Sequence, residues 1–135
     1  MILDFASVAI GGGLGALARF GLLRWAAGRG DRNGARWDGT ARATVLANVI
    51  GCAVFGLWAA TPGAGALSEI EREVGFAPDL LVLTGFCGGL TTFSTAVADA
   101  VRLRTVRSGA ASLGYAAATC AAGLVVLWLG LHFGA

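Results

Sequence analysis

The sequence predicts an all-α membrane protein of four transmembrane helices with a break in the third. Three observations carry this. Hydrophobic residues make up 56% of the chain and charged ones 13%, with a mean hydropathy of +0.74, whereas soluble domains carry roughly 25% charged residues. Charge is almost absent from four long apolar runs, and a bilayer core takes about 20 apolar residues to cross. The 135 residues therefore hold these spans as a single domain, 1–135, with no room for a second. The centre of the third run is a string of glycines and hydroxyl residues, poorly suited to an unbroken helix.

The first span covers about residues 2–25. No Lys or Arg precedes it and its apolar stretch is longer than a signal-peptide core, so it is expected to stay in the mature protein. Gly11 with Gly15, and Gly85 with Gly89 in the third span, supply GxxxG spacing. Small residues of this kind let helices approach closely in lipid, where no hydrophobic drive acts between them. The second span, 43–60, carries Asn48 near its centre, with Thr44, Gly51, Cys52 and Phe55 on or near its face. Between Thr61 and Asp79 lie both prolines and four acids, and Ser68 with Glu71 reads as a capping box opening a short surface helix in a loop. The third and fourth spans are 80–101 and 109–133, and Tyr115 and Thr119 share a face of the fourth at i and i+4.

Several functional classes are disfavoured at once. Cys52, Cys87 and Cys120 fall one to a span without CxxC spacing, which argues for packing thiols rather than disulfides or zinc. The net charge of +2 comes from arginines in short loops flanking the spans, so topology accounts for it and nucleic acid does not. The absence of a His-acid or metal-ligand constellation argues against an enzyme. Trp25, Trp37, Trp58 and Trp128 read as interfacial or lipid-facing aromatics, and His132 receives no role.

Polar side chains inside a span are costly and face a cavity or another helix. Here they are Asn48, Thr84, Thr91, Thr92, Ser94, Thr95, Ser112, Tyr115 and Thr119; none is acidic, since Asp4 and Asp99 are read as lying near span ends. Asn48 suits either an interhelical hydrogen bond or a ligand-facing amide. In the third span, Gly85-Phe86-Cys87-Gly88-Gly89-Leu90-Thr91-Thr92-Phe93-Ser94-Thr95 predicts an interruption between Gly88 and Thr91. Backbone groups freed at mid-membrane persist only where they line a cavity or bind an ion. The plainer alternative is a glycine-kinked packing helix whose hydroxyls bond back to i−4 carbonyls.

Gly11-Gly12-Gly13 through Arg19, Gly39-Thr40 followed by Asn48-Val49-Ile50-Gly51, and Gly85 through Thr95 look like three signatures in order, and by them the chain resembles the Fluc (CrcB) fluoride channel family. The resemblance spans nearly the whole chain. It implies an antiparallel dimer with paired pathways that export fluoride from the cytoplasm down its electrochemical gradient, through a multi-pass protein of the cell membrane. It implies a structural sodium ion held by the carbonyls of Gly88 and Thr91; backbone oxygens suit such a hard cation. A fluoride pathway is implied along Asn48, Phe93, Ser94, Thr95, Tyr115 and Thr119. Selectivity needs donors that replace the hydration of a small anion, which an amide and the positive edge of a phenyl ring provide. Asn48 and Phe93 are expected to line one polar crevice with Thr95. Arg19 either draws anions to the mouth or anchors the span at the interface.

Two departures from the family pattern matter. Ala96 stands where a second phenylalanine is usual, three residues after Phe93. Arg24, Arg29, Arg32, Arg36, Arg42, Arg102, Arg104 and Arg107 fall in the first and third loops against Arg72 in the second. So strong a bias fixes one orientation, with both termini outside. The family architecture needs one subunit of each orientation, so a heterodimer with an oppositely biased paralogous subunit is favoured over a homodimer. Two rivals belong to other classes. A small four-helix multidrug exporter needs an acid within a span, and a non-conducting assembly subunit leaves Asn48 and the break without a role.

Overall fold

Apolar segments in lipid satisfy their backbone only by closing hydrogen bonds within themselves, which for a lone segment means helix. The computed structural model describes residues 2–29, 36–61 and 78–133, and they are helical almost throughout. The elements are α1 (Ile2–Arg29), α2 (Arg36–Ala60), a third span built from α3 (Leu80–Cys87), α4 (Gly88–Leu90) and α5 (Phe93–Val106), and α6 (Gly109–Phe133). No strand occurs among the described residues. Ile2–Ala26, Gly39–Ala60, Leu80–Val106 and Gly109–Phe133 are long and apolar enough to cross a membrane. The second starts earlier and the third ends later than the hydropathy runs, because Arg42, Arg102 and Arg104 continue helices that they do not end; Arg104 lies in the last turn of α5, where a cation complements the helix dipole. The capping box of Ser68 and Glu71 lies outside the described residues.

Packing follows the small residues. The α3 and α4 segments lie along α1, whereas α2 lies along α6, and α5 leaves α1 to pack against α6 and α2. The two GxxxG pairs meet one another: a methyl group at Gly85 would stand 2.9 Å from the Cα of Gly11, and one at Gly89 would strike the backbone of Gly12. A second close approach joins α2 to α6, where a methyl on Gly130 would lie 2.9 Å from the Cα of Gly56. Large apolar side chains point the other way. Phe5, Leu17, Leu113 and Leu124 are exposed, as the lipid-facing surface of a bundle requires.

Of the two readings of the tryptophans, interfacial or lipid-facing, Trp58 at the end of α2 does not fit the second. It is half-buried, and its Nε1–H donates to Asp79 Oδ1 at 2.7 Å, tying the end of α2 to the start of the third span. His132 stacks on Trp128, with centroids 5.1 Å apart.

Candidate functional site

The third span leaves helical geometry for two residues, Thr91 (φ −78°, ψ 153°) and Thr92 (φ −153°, ψ 116°), between α4 and α5. The sequence suggested an interruption between Gly88 and Thr91; Thr91 does leave the helix, whereas Gly88–Leu90 are helical. Gly85 and Gly89 serve as contact surface against α1, and contact sustains helix there. Thr92, by contrast, has a hydroxyl with which to start a new helix: its Oγ1 accepts the Thr95 N–H at 3.3 Å, an N-cap for α5.

The exchange of partners around Thr92 is the chemical core of the site. In a continuous helix the Thr92 N–H would bond to the Gly88 carbonyl and the Thr95 N–H to the Thr91 carbonyl. Instead Thr92 N–H donates to Asn48 Oδ1 across the interface with α2, at 2.9 Å, and Thr95 N–H goes to the cap. Gly88 and Thr91 thereby lose the helical donors for their carbonyls. Gly88 is exposed, with nothing within 4 Å of where its Cβ would stand. Thr91 is held in place from behind: its hydroxyl donates to the Cys87 carbonyl at 2.8 Å and its methyl presses on Gly51.

A groove of about 530 Å³ opens between α2, α5 and α6. Asn48, Thr91, Thr92, Phe93, Tyr115 and Thr119 are on its wall, as is Ala96. Asn48 and Phe93 therefore line one crevice, largely apolar between its polar groups. The Phe93 ring is 85% exposed, standing off its own chain. Thr95 and Ser94 are not among the lining residues: their hydroxyls lie 3.0 and 3.2 Å from Thr92 Oγ1, engaged in the cap. Thr119 donates to the Tyr115 carbonyl at 2.8 Å, which takes its one hydroxyl hydrogen. Arg19, half-buried on α1, is not on the wall. Cys52 and Cys120 are, and all three cysteines are free thiols.

Asp99, near the end of the third span as the sequence suggested, is buried, with Thr44 Oγ1 donating to its Oδ2 at 2.8 Å and the Tyr115 hydroxyl to the same oxygen at 3.5 Å. The sequence signal was present: Thr44 and Tyr115 are hydroxyls on two other spans at matching depth, and a buried carboxylate persists where donors meet it. No cluster of three or more His, Cys, Asp and Glu suited to a metal ion occurs among the described residues.

Comparison with known proteins adds a family to this geometry. Residues 6–131 match the family described as CrcB-like protein, Camphor Resistance (CrcB). Over 127 residues the chain is 39% identical to a protein of Geobacillus kaustophilus named fluoride-specific ion channel FluC 1, covering 94% of each chain. It is 39% identical over 125 residues to fluoride-specific ion channel FluC 2 of Rhodococcus jostii, covering 93% of each. It is 34% identical over 134 residues to FluC 2 of Natronomonas pharaonis, covering 99% of this chain and 97% of that one.

Proposed function

The chain belongs to the CrcB family, and from that premise we propose its function: it is a subunit of a fluoride-selective ion channel that lets fluoride leave the cytoplasm down its electrochemical gradient. It is a channel rather than an enzyme. The observation that carries the reading is the groove, which sets an amide, a phenyl ring and two hydroxyl-bearing residues along one wall between spans. Fluoride gives up water only where donors replace it, and leaves again only where each is weak enough. Asn48 offers amide hydrogens and Phe93 a ring edge; Tyr115 and Thr119 add hydroxyls whose hydrogens point to Asp99 and to the Tyr115 carbonyl and would have to turn to meet the ion. Ser94 and Thr95 act at one remove, through the cap on Thr92. Arg19 acts outside the groove, at the mouth or as an anchor.

The working unit is an antiparallel dimer. An exposed ring at Phe93 and a groove open on one side suit a pathway that a second subunit completes. Sodium is the structural cation, held by the carbonyls of Gly88 and Thr91, the two that the rearrangement at Thr92 strips of helical donors. The partner is an oppositely oriented paralogous subunit. Eight arginines in the first and third loops against one in the second favour a single orientation, with those loops in the cytoplasm and both termini outside. Ala96, on the groove wall, weakens one pathway and leaves the other whole if the partner keeps both rings.

Against the exporter reading stand family membership and the place of Asp99, near the end of the third span, buried against Thr44 and on no wall of the groove. The test is fluoride efflux from liposomes. The chain with its oppositely biased paralogue should release fluoride and retain chloride; absence of fluoride-selective release from every combination would refute the reading. Orientation is tested separately. A single cysteine at a position within 30–35, in a background without Cys52, Cys87 and Cys120, should be protected from an impermeant reagent in intact cells, and labelling of about half the molecules would show dual insertion.

A further inference from the structure

We propose that the backbone N–H of Thr92 is a positioning group of the fluoride pathway: by holding Asn48 Oδ1 it aims the Asn48 Nδ2 hydrogens into the groove. The inference rests on the fluoride-channel reading above. Its basis is the chemistry of the two groups. A backbone N–H only donates, and a side-chain amide has one accepting oxygen and one doubly donating nitrogen. The 2.9 Å bond from Thr92 therefore fixes which end of Asn48 faces the third span, because the flipped amide would set donor against donor. Beyond this bond the Asn48 side chain forms no hydrogen bond among the described residues. No buried side-chain nitrogen or oxygen among them lacks a partner, so Nδ2 keeps accessible surface, and the space that Asn48 lines is the groove.

The holder is itself held. Extended backbone at Thr92 turns its N–H off the helix axis towards α2, and its hydroxyl is locked by the Thr95 N–H and by the Ser94 and Thr95 hydroxyls. An amide restrained at its oxygen meets an arriving anion with its donors already directed, whereas a free one would lose rotamer freedom on binding. The same N–H cannot also serve Gly88. Aiming the anion donor and freeing the Gly88 carbonyl are thus one event, and this gives the interruption at Thr91 and Thr92 a use on both sides.

The experiment replaces Thr92 by its α-hydroxy acid analogue, which substitutes a backbone ester for the amide and keeps the side chain. In liposomes holding the chain with any subunit that copurifies with it, fluoride efflux should fall roughly threefold to tenfold. The Asn48 side-chain amide NMR signals, assigned by their loss in Asn48→Asp, should shift with fluoride in the parent and cease to do so in the ester. The ester also weakens the Thr91 carbonyl, so the unfolding temperature is read with and without sodium to separate that effect. Unchanged efflux, or reduced efflux with the amide response intact, overturns the proposal. If the ester variant does not assemble, hydrogen exchange at Thr92 decides. The amide should exchange slowly in the parent and in Asn48→Asp, which keeps the accepting oxygen, and fast in Asn48→Ala; fast exchange in the parent overturns the proposal. A parent that carries no fluoride sinks the channel reading and this role with it. The exchange pattern, which needs no flux, tells that failure from a missing hydrogen bond.

Discussion

Before Thr91 the third span packs backbone on backbone, with Gly85 and Gly89 set against Gly11 and Gly12; after it, the span stands back from its neighbours far enough to leave a groove of about 530 Å³. Both halves are apolar and both are helical. What separates them is the residue that faces the neighbour. Glycine removes the side chain and lets two helices close on each other, while threonine and phenylalanine line the open side and furnish hydroxyls and a ring edge. The first half is suited to fixing the bundle and the second to admitting an ion. A path for a small anion needs a rigid side to be measured against, so the two halves belong together.

If that contrast is real, bulk should be ruinous in one half and nearly harmless in the other. Gly89→Leu drives a side chain into the Gly12 backbone, which cannot yield, and should abolish folded protein, read as loss of the monodisperse peak in detergent. Asn48→Ala should spare assembly and cut fluoride efflux roughly tenfold to a hundredfold, the worth of a hydrogen bond to a charged acceptor. Normal flux would remove Asn48 from the pathway and dissolve the functional half of the contrast. Thr44→Val takes the shorter of two bonds from the buried Asp99 and should lower stability by about 1–3 kcal/mol, seen as a lower unfolding temperature, with Thr44→Ser restoring it. The smallest effect belongs to Ala96→Phe: the groove has room there, so folding should be unaffected and efflux should change by no more than a few-fold. A collapse of folding in Ala96→Phe would show that the second half is as tightly packed as the first.

The spans were legible because lipid leaves a long apolar segment no other way to satisfy its backbone. The GxxxG pairs were legible for a similar reason, since their spacing alone puts two glycines on one helix face. Asn48 and Phe93 stood out as a costly amide and as part of a motif, and they do share a wall. Elsewhere local reasoning misled. Glycines were weighed by their helix propensity, as if in water, and so the interruption was placed between Gly88 and Thr91; Gly85 and Gly89 are contact surface against α1, and the extended residues are Thr91 and Thr92. Asp99 was weighed only by its distance from the end of an apolar run, and its burial was missed because that depends on Thr44, 55 positions away in sequence. Ser94 and Thr95 were placed on the pathway by the resemblance alone; what the sequence does not show is that their hydroxyls turn to Thr92, two or three residues back. Pairings between distant spans, and rotations about a single side-chain bond, leave no periodic trace to read.

The pattern of partners bears on biogenesis. α1 finds its main surface on the third span, and α2 finds its own on α6, the last helix to be made. Each early helix therefore waits through the synthesis of other segments before its groove exists, for α2 on the order of ten seconds at ordinary translation rates. During that interval the glycine faces of α1 and α2 lie open to the lipid and to whatever insertion factor attends the nascent chain. Translational pausing within residues 62–77 would prolong that exposure, whereas pausing after α6 has emerged would cost nothing.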